Sequence, residues 1–323
     1  MKHPLRALAV LPFILVATPV AHSQSETGVV DSLKVTILST MLADRGIGEW
    51  GFSALIEADG HRILFDTGAR PKTVLQNATE LGVDLTNVPE LILSHNHGDH
   101  TGGLLSLRRE IAKQASDALS RAHVGRGIFW ARPPNRRWQA MSEVKTDYAD
   151  LGGEFIEHDK PTQIHPGIWV TGPVPRIHVE RNWGMGGKVG QVQTPAGPTE
   201  DNIPESMSLV IDTRQGLVVI SGCGHAGIIN TLEYARKSVR QAPIHAAVGG
   251  FHLLNATDSH LEWTASKLGE VGLRNFIGAH CTGIEAVYQI RALTGLGRKT
   301  AVVGAVGASF SLGDGIDPLM LAR

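Results

Sequence analysis

The 323-residue chain carries 30 Lys and Arg against 31 Asp and Glu, with 42% hydrophobic residues and two cysteines. That charge balance excludes a large phosphate-backbone footprint, so no nucleic-acid partner is expected. The length is enough for one large domain or two small ones, with a core that needs no disulfide support.

Lys2, His3 and Arg6 flank the start of an apolar run that extends to Ala21, and Ala21-His22-Ser23 offers small residues at signal-peptidase spacing. The pattern predicts a secretory signal peptide over 1–23, a periplasmic or secreted mature protein, and no integral membrane segment after cleavage. An uncleaved amino-terminal anchor is the competing reading; Pro12 and Pro19 count against a core helix. Residues 24–33 are expected as a flexible tail. Residues 34–323 are expected as a single domain with insertions near 125–160 and 181–205.

Alternating apolar and polar side chains predict strands over 34–40, 52–56 and 62–65, the last two joined by a hairpin at Asp59-Gly60. Asp66-Thr67-Gly68 follows, then helical spacing over 71–81. The run Leu91-Ile92-Leu93 reads as a buried strand and releases into Ser94-His95-Asn96-His97-Gly98-Asp99-His100-Thr101-Gly102-Gly103. Imidazoles two apart share a face in an extended segment. Gly98 turns the chain, bringing Asp99 and His100 back toward them. Three imidazoles and a carboxylate in one turn suit a divalent metal, zinc foremost, with manganese or iron as alternatives.

A helix is predicted over 104–119. The stretch 125–138 then interleaves aromatics with Arg126, Arg132, Arg136 and Arg137. Guanidinium forks and stacked rings can hold an anionic or aromatic ligand, which makes Arg132, Arg136, Arg137 and Trp138 candidate substrate-binding residues; a solvated loop pinned by its tryptophans is the alternative reading. A strand-like stretch over 164–175 precedes His178, and 181–205 reads as a polar, glycine-rich and proline-rich pocket loop. An apolar hairpin over 208–212 and 217–221 delivers Gly222-Cys223-Gly224-His225. Two further strands, 244–248 and 276–278, end at His252 and His280. Each of these three strands is followed by helical periodicity, so a strand-turn-helix unit recurs with a histidine at every turn. Cys223 and Cys281 lie beside candidate metal histidines, and both a disulfide and free thiols near metal are open.

The motif His95-x-His97-x-Asp99-His100 after a strand resembles the signature of the metallo-β-lactamase superfamily of metallohydrolases. Glu49-Trp50-Gly51-Phe52, Cys223-Gly224-His225, Gly250-Phe251-His252 and His280-Cys281-Thr282-Gly283 resemble in particular its ribofuranosylaminobenzene-phosphate-synthase-like branch of metal-dependent hydrolases. Most of residues 34–310 takes part. The resemblance implies an α/β fold, a four-layer αβ/βα sandwich with the site at one sheet edge. It further implies two divalent metal ions, one on His95, His97 and His225 and the other on Asp99, His100 and His280. Asp66 would support the ligands, with Cys223 and His178 as supporting residues or alternative ligands. Asp99 and His252 are the catalytic candidates, His252 by binding substrate or protonating the leaving group, and His252 and His280 can exchange roles.

The implied activity is hydrolysis of a small-molecule ester or phosphoester, anionic ones included, by water activated on the metals. A metal-dependent transferase of phosphoribosyl-type chemistry and a non-catalytic metal-binding protein are the alternatives. An oligomer is compatible with all three.

Overall fold

A computed structural model describes residues 28–133, 140–180 and 190–321. The expected signal peptide over 1–23 lies outside the described residues, as do Arg136, Arg137 and Trp138.

The chain lays down β1 (Leu33–Ser39), β2 (Ser53–Ala58), β3 (His61–Phe65), β4 (Glu90–Leu93), β5 (Arg121–Gly125) and β6 (Glu154–His158) in one sheet. The second sheet takes β7 (Thr162–His165) and β8 (Ile168–Val170). A separate hairpin of β9 (Gln191–Thr194) and β10 (Gly197–Glu200) follows. The second sheet resumes with β11 (Ser208–Thr213), β12 (Gly216–Ser221), β13 (Ile244–Gly249), β14 (Asn275–Gly278) and β15 (Ala301–Val303). β16 (Ser309–Ser311) and β17 (Gly315–Asp317) return to the first sheet, whose order is β17-β16-β1-β2-β3-β4-β5-β6. The second runs β15-β14-β13-β12-β11-β8-β7.

Both sheets are mixed, antiparallel at one side and parallel at the other: β3 to β6 run parallel, and so do β12 to β15. Parallel strands need crossovers, and these are the helices α1 (Thr73–Leu81), α2 (Gly98–Thr101), α3 (Leu104–Ile111), α4 (Met141–Asp150), α5 (Ile228–Ser238), α6 (Asp258–Glu270) and α7 (Ile284–Thr294).

Alternation along the strands explains the layering. Ile56, Phe65 and Ile92 face the second sheet's Ile211, Ile220 and Val248 in the inter-sheet core. Their neighbours Leu55, Leu64, Leu91 and Leu93 face outward onto Val74, Leu104, Leu107 and Tyr148 of α1, α3 and α4. Leu217, Val219 and Phe276 pack in the same way under Ile229, Leu232, Leu268 and Val287 of α5, α6 and α7. The result is the expected four-layer αβ/βα sandwich. Each fully buried aliphatic or aromatic side chain contributes roughly 1.5–3 kcal/mol of transfer free energy.

Asp59 and Gly60 both take positive φ, 45° and 86°, as a two-residue hairpin turn requires. The helix expected over 104–119 stops at Ile111. Arg108 buries its guanidinium against the carbonyls of Ala118, Leu151 and Gly152, and Leu119 N–H donates to Val88 O. The later apolar residues of that pattern are therefore covered by a turn entering β5. The tail expected over 24–33 is anchored from Val30 onward: Val30 is buried in the inter-sheet core and donates to Asp212 O, while Asp31 and Ser32 N–H groups donate to the Asp59 carboxylate. Of the stretch near 125–160, α4 and β6 lie within the first sheet and its covering layer.

At the end of β4 opposite the metal-bearing turn, Glu90 joins the sheets. It accepts from Arg121 at 3.0 Å and meets His165 Nε2 of β7 at 2.5 Å, while His123 Nδ1 lies 2.9 Å from His158 Nε2.

Candidate metal centre

The site sits where parallel strands of both sheets end, the position at which open α/β sheets leave a crevice for ligands. β3 delivers Asp66, β4 the turn from Ser94 to Gly103, β12 Cys223 and His225, β13 His252, and β14 His280.

Asp66 takes a left-handed backbone, φ 55°, and its side chain is fully buried. It accepts from Ser94 N–H at 2.7 Å and Ser94 Oγ at 2.8 Å, and pairs with His100 Nδ1 at 2.7 Å. Ser94 Oγ also lies 2.8 Å from His95 Nδ1. A carboxylate only accepts, so the chain runs His95 Nδ1–H to Ser94 O–H to Asp66, and His100 Nδ1–H to the same carboxylate. His95 is thereby left with an Nε2 lone pair aimed inward, the tautomer a metal ligand needs, and His100 presents the same lone pair once a metal ion displaces its Nε2 proton. Gly222 makes this possible: a Cβ there would stand 2.1 Å from Ser94 Oγ and 2.4 Å from Asp66 Oδ2.

His95 Nε2, His97 Nδ1 and His225 Nε2 form a triangle with edges of 2.8, 3.2 and 3.2 Å. Burial holds His95 well below the ordinary imidazole pKa and His97 at about 3, so both rings are neutral at pH 7. Neutral rings turned nitrogen to nitrogen fit a shared cation. Zn–N bonds near 2.05 Å at tetrahedral angles would space nitrogens by about 3.3 Å.

Beside this triangle, Asp99 Oδ2 lies 3.3 Å from His280 Nε2 and 3.9 Å from His100 Nε2. His100 Nε2 is 3.1 Å from Cys223 Sγ. Burial opposes ionisation of Asp99, yet His100 and His280 outweigh it and hold the carboxyl well below its usual range. Burial likewise opposes charge on His100, but Asp66 and Asp99 raise it to about 9. His280 is buried at φ 47° with its backbone N–H on Thr40 Oγ1; its Nε2 faces only the Asp99 carboxylate, and its Nδ1 finds no hydrogen-bond partner among the described residues. A buried imidazole of that kind is expensive in the protein alone and natural as a ligand. The donor set therefore fits two adjacent divalent ions of the zinc, manganese or iron type, on His/Cys groups that include His95, Cys223 and His225 in one case and His100, Cys223 and His280 in the other.

Other candidates stand differently. His252 (φ 48°) lies with its ring 4.8 Å from that of His225, and its sulfur neighbours are Cys223 and Cys281. Those two cysteines are free, with sulfurs 3.2 Å apart. His178 is a correction: Nε2 pairs with Glu233 at 2.9 Å, its ring lies against Trp263, and its backbone is pinned by Asn230, so it joins neither set. Arg132 is a second correction. Its side chain is 3% exposed and bridges Asp201 at 2.7 Å and Glu205 at 2.6 Å, an internal ion network in place of a substrate-facing one.

Glu205 in turn accepts from Asn96 N–H, which ties this network to the metal turn. Nothing in the sequence marks that link across 109 positions. Trp50, which the sequence marks only within Glu49-Trp50-Gly51-Phe52, places its half-exposed ring 4.8 Å from that of His280. Glu49 fixes this segment by accepting from Ser39 Oγ and from the N–H groups of Ala69 and Arg70.

Two helix-backed sheets that converge imidazoles, a carboxylate and a thiol on one edge define a metal-dependent hydrolase scaffold. The chain belongs to the metallo-beta-lactamase superfamily, which it matches over residues 51–224. It is 30% identical over 271 residues to a 7,8-dihydropterin-6-methyl-4-(beta-D-ribofuranosyl)-aminobenzene-5'-phosphate synthase of Methanocaldococcus jannaschii, covering 80% of this chain and 90% of the relative. In structure it is similar to Tm1679, described as a metal-dependent hydrolase of the beta-lactamase superfamily, with a TM-score of 0.63 and 27% identity over 81% of this chain and 93% of the other. Zinc-bound PqqB from Methylobacterium extorquens shares the fold at a TM-score of 0.52 and 14% identity, over 86% of this chain and 100% of its own. No helix among the described residues is long and apolar enough to cross a membrane.

Proposed function

We propose that the protein is a binuclear metal-dependent hydrolase of a small ester or phosphoester, exported from the cytoplasm as its amino-terminal pattern suggests. The observation that carries this reading is the convergence of the His95, His97 and His225 nitrogens beside Asp99, His100 and His280 at one sheet edge.

His95, His97 and His225 would hold one ion, and Asp99, His100 and His280 the other. Bound there, two divalent cations supply Lewis acidity and a water acidified toward neutrality. The chain's own residues do the rest. Asp66 and Ser94 hold the two ring tautomers. Asp99, its side chain 21% exposed, presents an ionised carboxylate at the crevice that can orient a water by accepting its hydrogen bond. His252, partly exposed at the rim, can deliver a proton to the leaving oxygen. Trp50 lies against the His280 ring at the rim. Arg132 is already committed internally and is not available to an anionic group on the substrate.

The synthase relative favours a second reading, a metal-dependent transferase of phosphoribosyl-type chemistry. It differs in consuming a second organic substrate in proportion to product.

Elemental analysis of the purified protein, combined with a panel of phosphodiester, phosphomonoester, lactone and thioester substrates, tests the proposal. Near two metals per chain and turnover lost on chelation are expected. Two bound metals with no turnover on any member of the panel would overturn the proposal and leave the transferase and the non-catalytic metal-binding protein.

A further inference from the structure

A side chain within reach of both metal positions can be shared by two ions, and among the described residues neither Asp66 nor Asp99 falls in the two nitrogen sets. Asp66 is committed to Ser94 N–H, Ser94 Oγ and His100 Nδ1. Asp99 stands with His280 and His100. Cys223 is placed otherwise. Its sulfur lies within 4.8 Å of the ligand nitrogens of His95 and His225, and within 4.8 Å of those of His100 and His280. His100 Nε2 is at 3.1 Å. A zinc ion with bonds of about 2.3 Å to sulfur and about 2.05 Å to nitrogen would separate the two by roughly 3.6 Å at a tetrahedral angle.

We propose that Cys223 is a bridging thiolate, its single sulfur shared by both metal positions, so that the centre is sulfur-bridged. This rests on the binuclear reading above. A buried structural cysteine ordinarily sits among apolar atoms. Cys223 instead sits, fully buried, among five imidazoles and a second thiol. Its anionic charge would also offset part of the positive charge that two dications bring to a set otherwise built from neutral imidazoles and Asp99. Cys281, with Sγ 3.2 Å from Cys223 Sγ, is the neighbour that donates its S–H to the bridging sulfur and stays out of both nitrogen sets.

The test is a cobalt(II) titration of the metal-free protein, following thiolate-to-cobalt charge-transfer absorption in the near ultraviolet and bound cobalt by elemental analysis. The wild type should bind two equivalents, with the absorption rising through both. Cys281→Ser should keep the band. Cys223→Ser should lose it and weaken cobalt binding by roughly tenfold or more. Cys223→Asp, whose carboxylate can also bridge, should restore two equivalents without the band. A band that saturates at one equivalent makes Cys223 a ligand to one ion only and overturns the bridge. Two bound cobalt ions with no band, a band that follows Cys281, or a Cys223–Cys281 disulfide in the isolated protein overturns it as well. Failure of the wild type to bind two equivalents would instead bring down the binuclear reading beneath it.

Discussion

Asp66→Asn is the sharpest perturbation of the site, because one carboxylate orients ligands of both proposed metal positions. In the native protein Asp66 receives His100 Nδ1–H directly and His95 Nδ1–H through Ser94 Oγ, at 2.7, 2.8 and 2.8 Å. An asparagine of the same shape keeps one acceptor oxygen and turns the other acceptor into a donor. Whichever way the amide faces, either Ser94 N–H or the Oδ2 pair of Ser94 Oγ and His100 Nδ1 meets an NH₂ group. Losing the partner of a buried donor costs about 1–3 kcal/mol, and loss of such support typically weakens metal affinity by roughly 10–100-fold. At about 1.4 kcal/mol per tenfold the two scales agree. Both ions should therefore loosen. Ser94→Ala, which cuts only the route to His95, should loosen the ion on His95, His97 and His225 more than its neighbour. Competition with a chromophoric chelator gives the two dissociation constants. If Asp66→Asn leaves both within about twofold of the wild type while the fold is intact, the tautomer argument is wrong.

Arg132→Met should cost about 3–5 kcal/mol of stability by leaving Asp201 and Glu205 buried without their direct ion pairs to it, and chemical denaturation would show this. An unchanged midpoint with a raised KM would instead return Arg132 to the substrate. Gly222→Ala should drive a methyl into Ser94 and Asp66 and lower metal content without removing any ligand, as read by elemental analysis. Acid should weaken the end of the sandwich that lacks the metal turn. Burial, followed by His123, lowers His158 from 6.5 to about 4, so the unfolded chain binds more protons between those values and stability falls as pH drops from about 6.5 toward 4. Glu90 is held low by His123, His165 and Arg121 against its burial, and it adds a loss in the same direction once pH falls below the ordinary carboxylate range. His158→Asn should therefore shrink the loss of unfolding free energy between pH 7.5 and 4.5 by about 2 kcal/mol, compared by urea denaturation at the two pH values.

What the sequence shows and what it hides divide along a physical line. Each strand-turn-helix unit is local: the apolar run, the turn glycine and the first helical residues lie within about a dozen positions, so Leu91 to Gly103 and Leu217 to His225 announce both their fold and their chemistry. The direction of parallel strands then brings those turns to one edge, and the six proposed ligands can be named before any coordinates exist. Contacts between layers obey no such spacing. His178 has the composition of a ligand, yet Glu233 one helix turn beyond Asn230 captures its ring. Arg132 has the composition of an anion binder, yet carboxylates 69 and 73 residues away neutralise it.

Cys223 falls between these cases. Its place beside His225 is local and legible, whereas its reach toward both nitrogen sets exists only once His100, carried by the first sheet, and His280, carried by β14, have been folded against it. A single residue can thus be identified from its neighbours in sequence while its role depends on distances that only packing sets. The metal chemistry of this chain turns on that residue, because replacing a bridging sulfur changes both ions at once, while replacing any one histidine first removes a ligand from one of them.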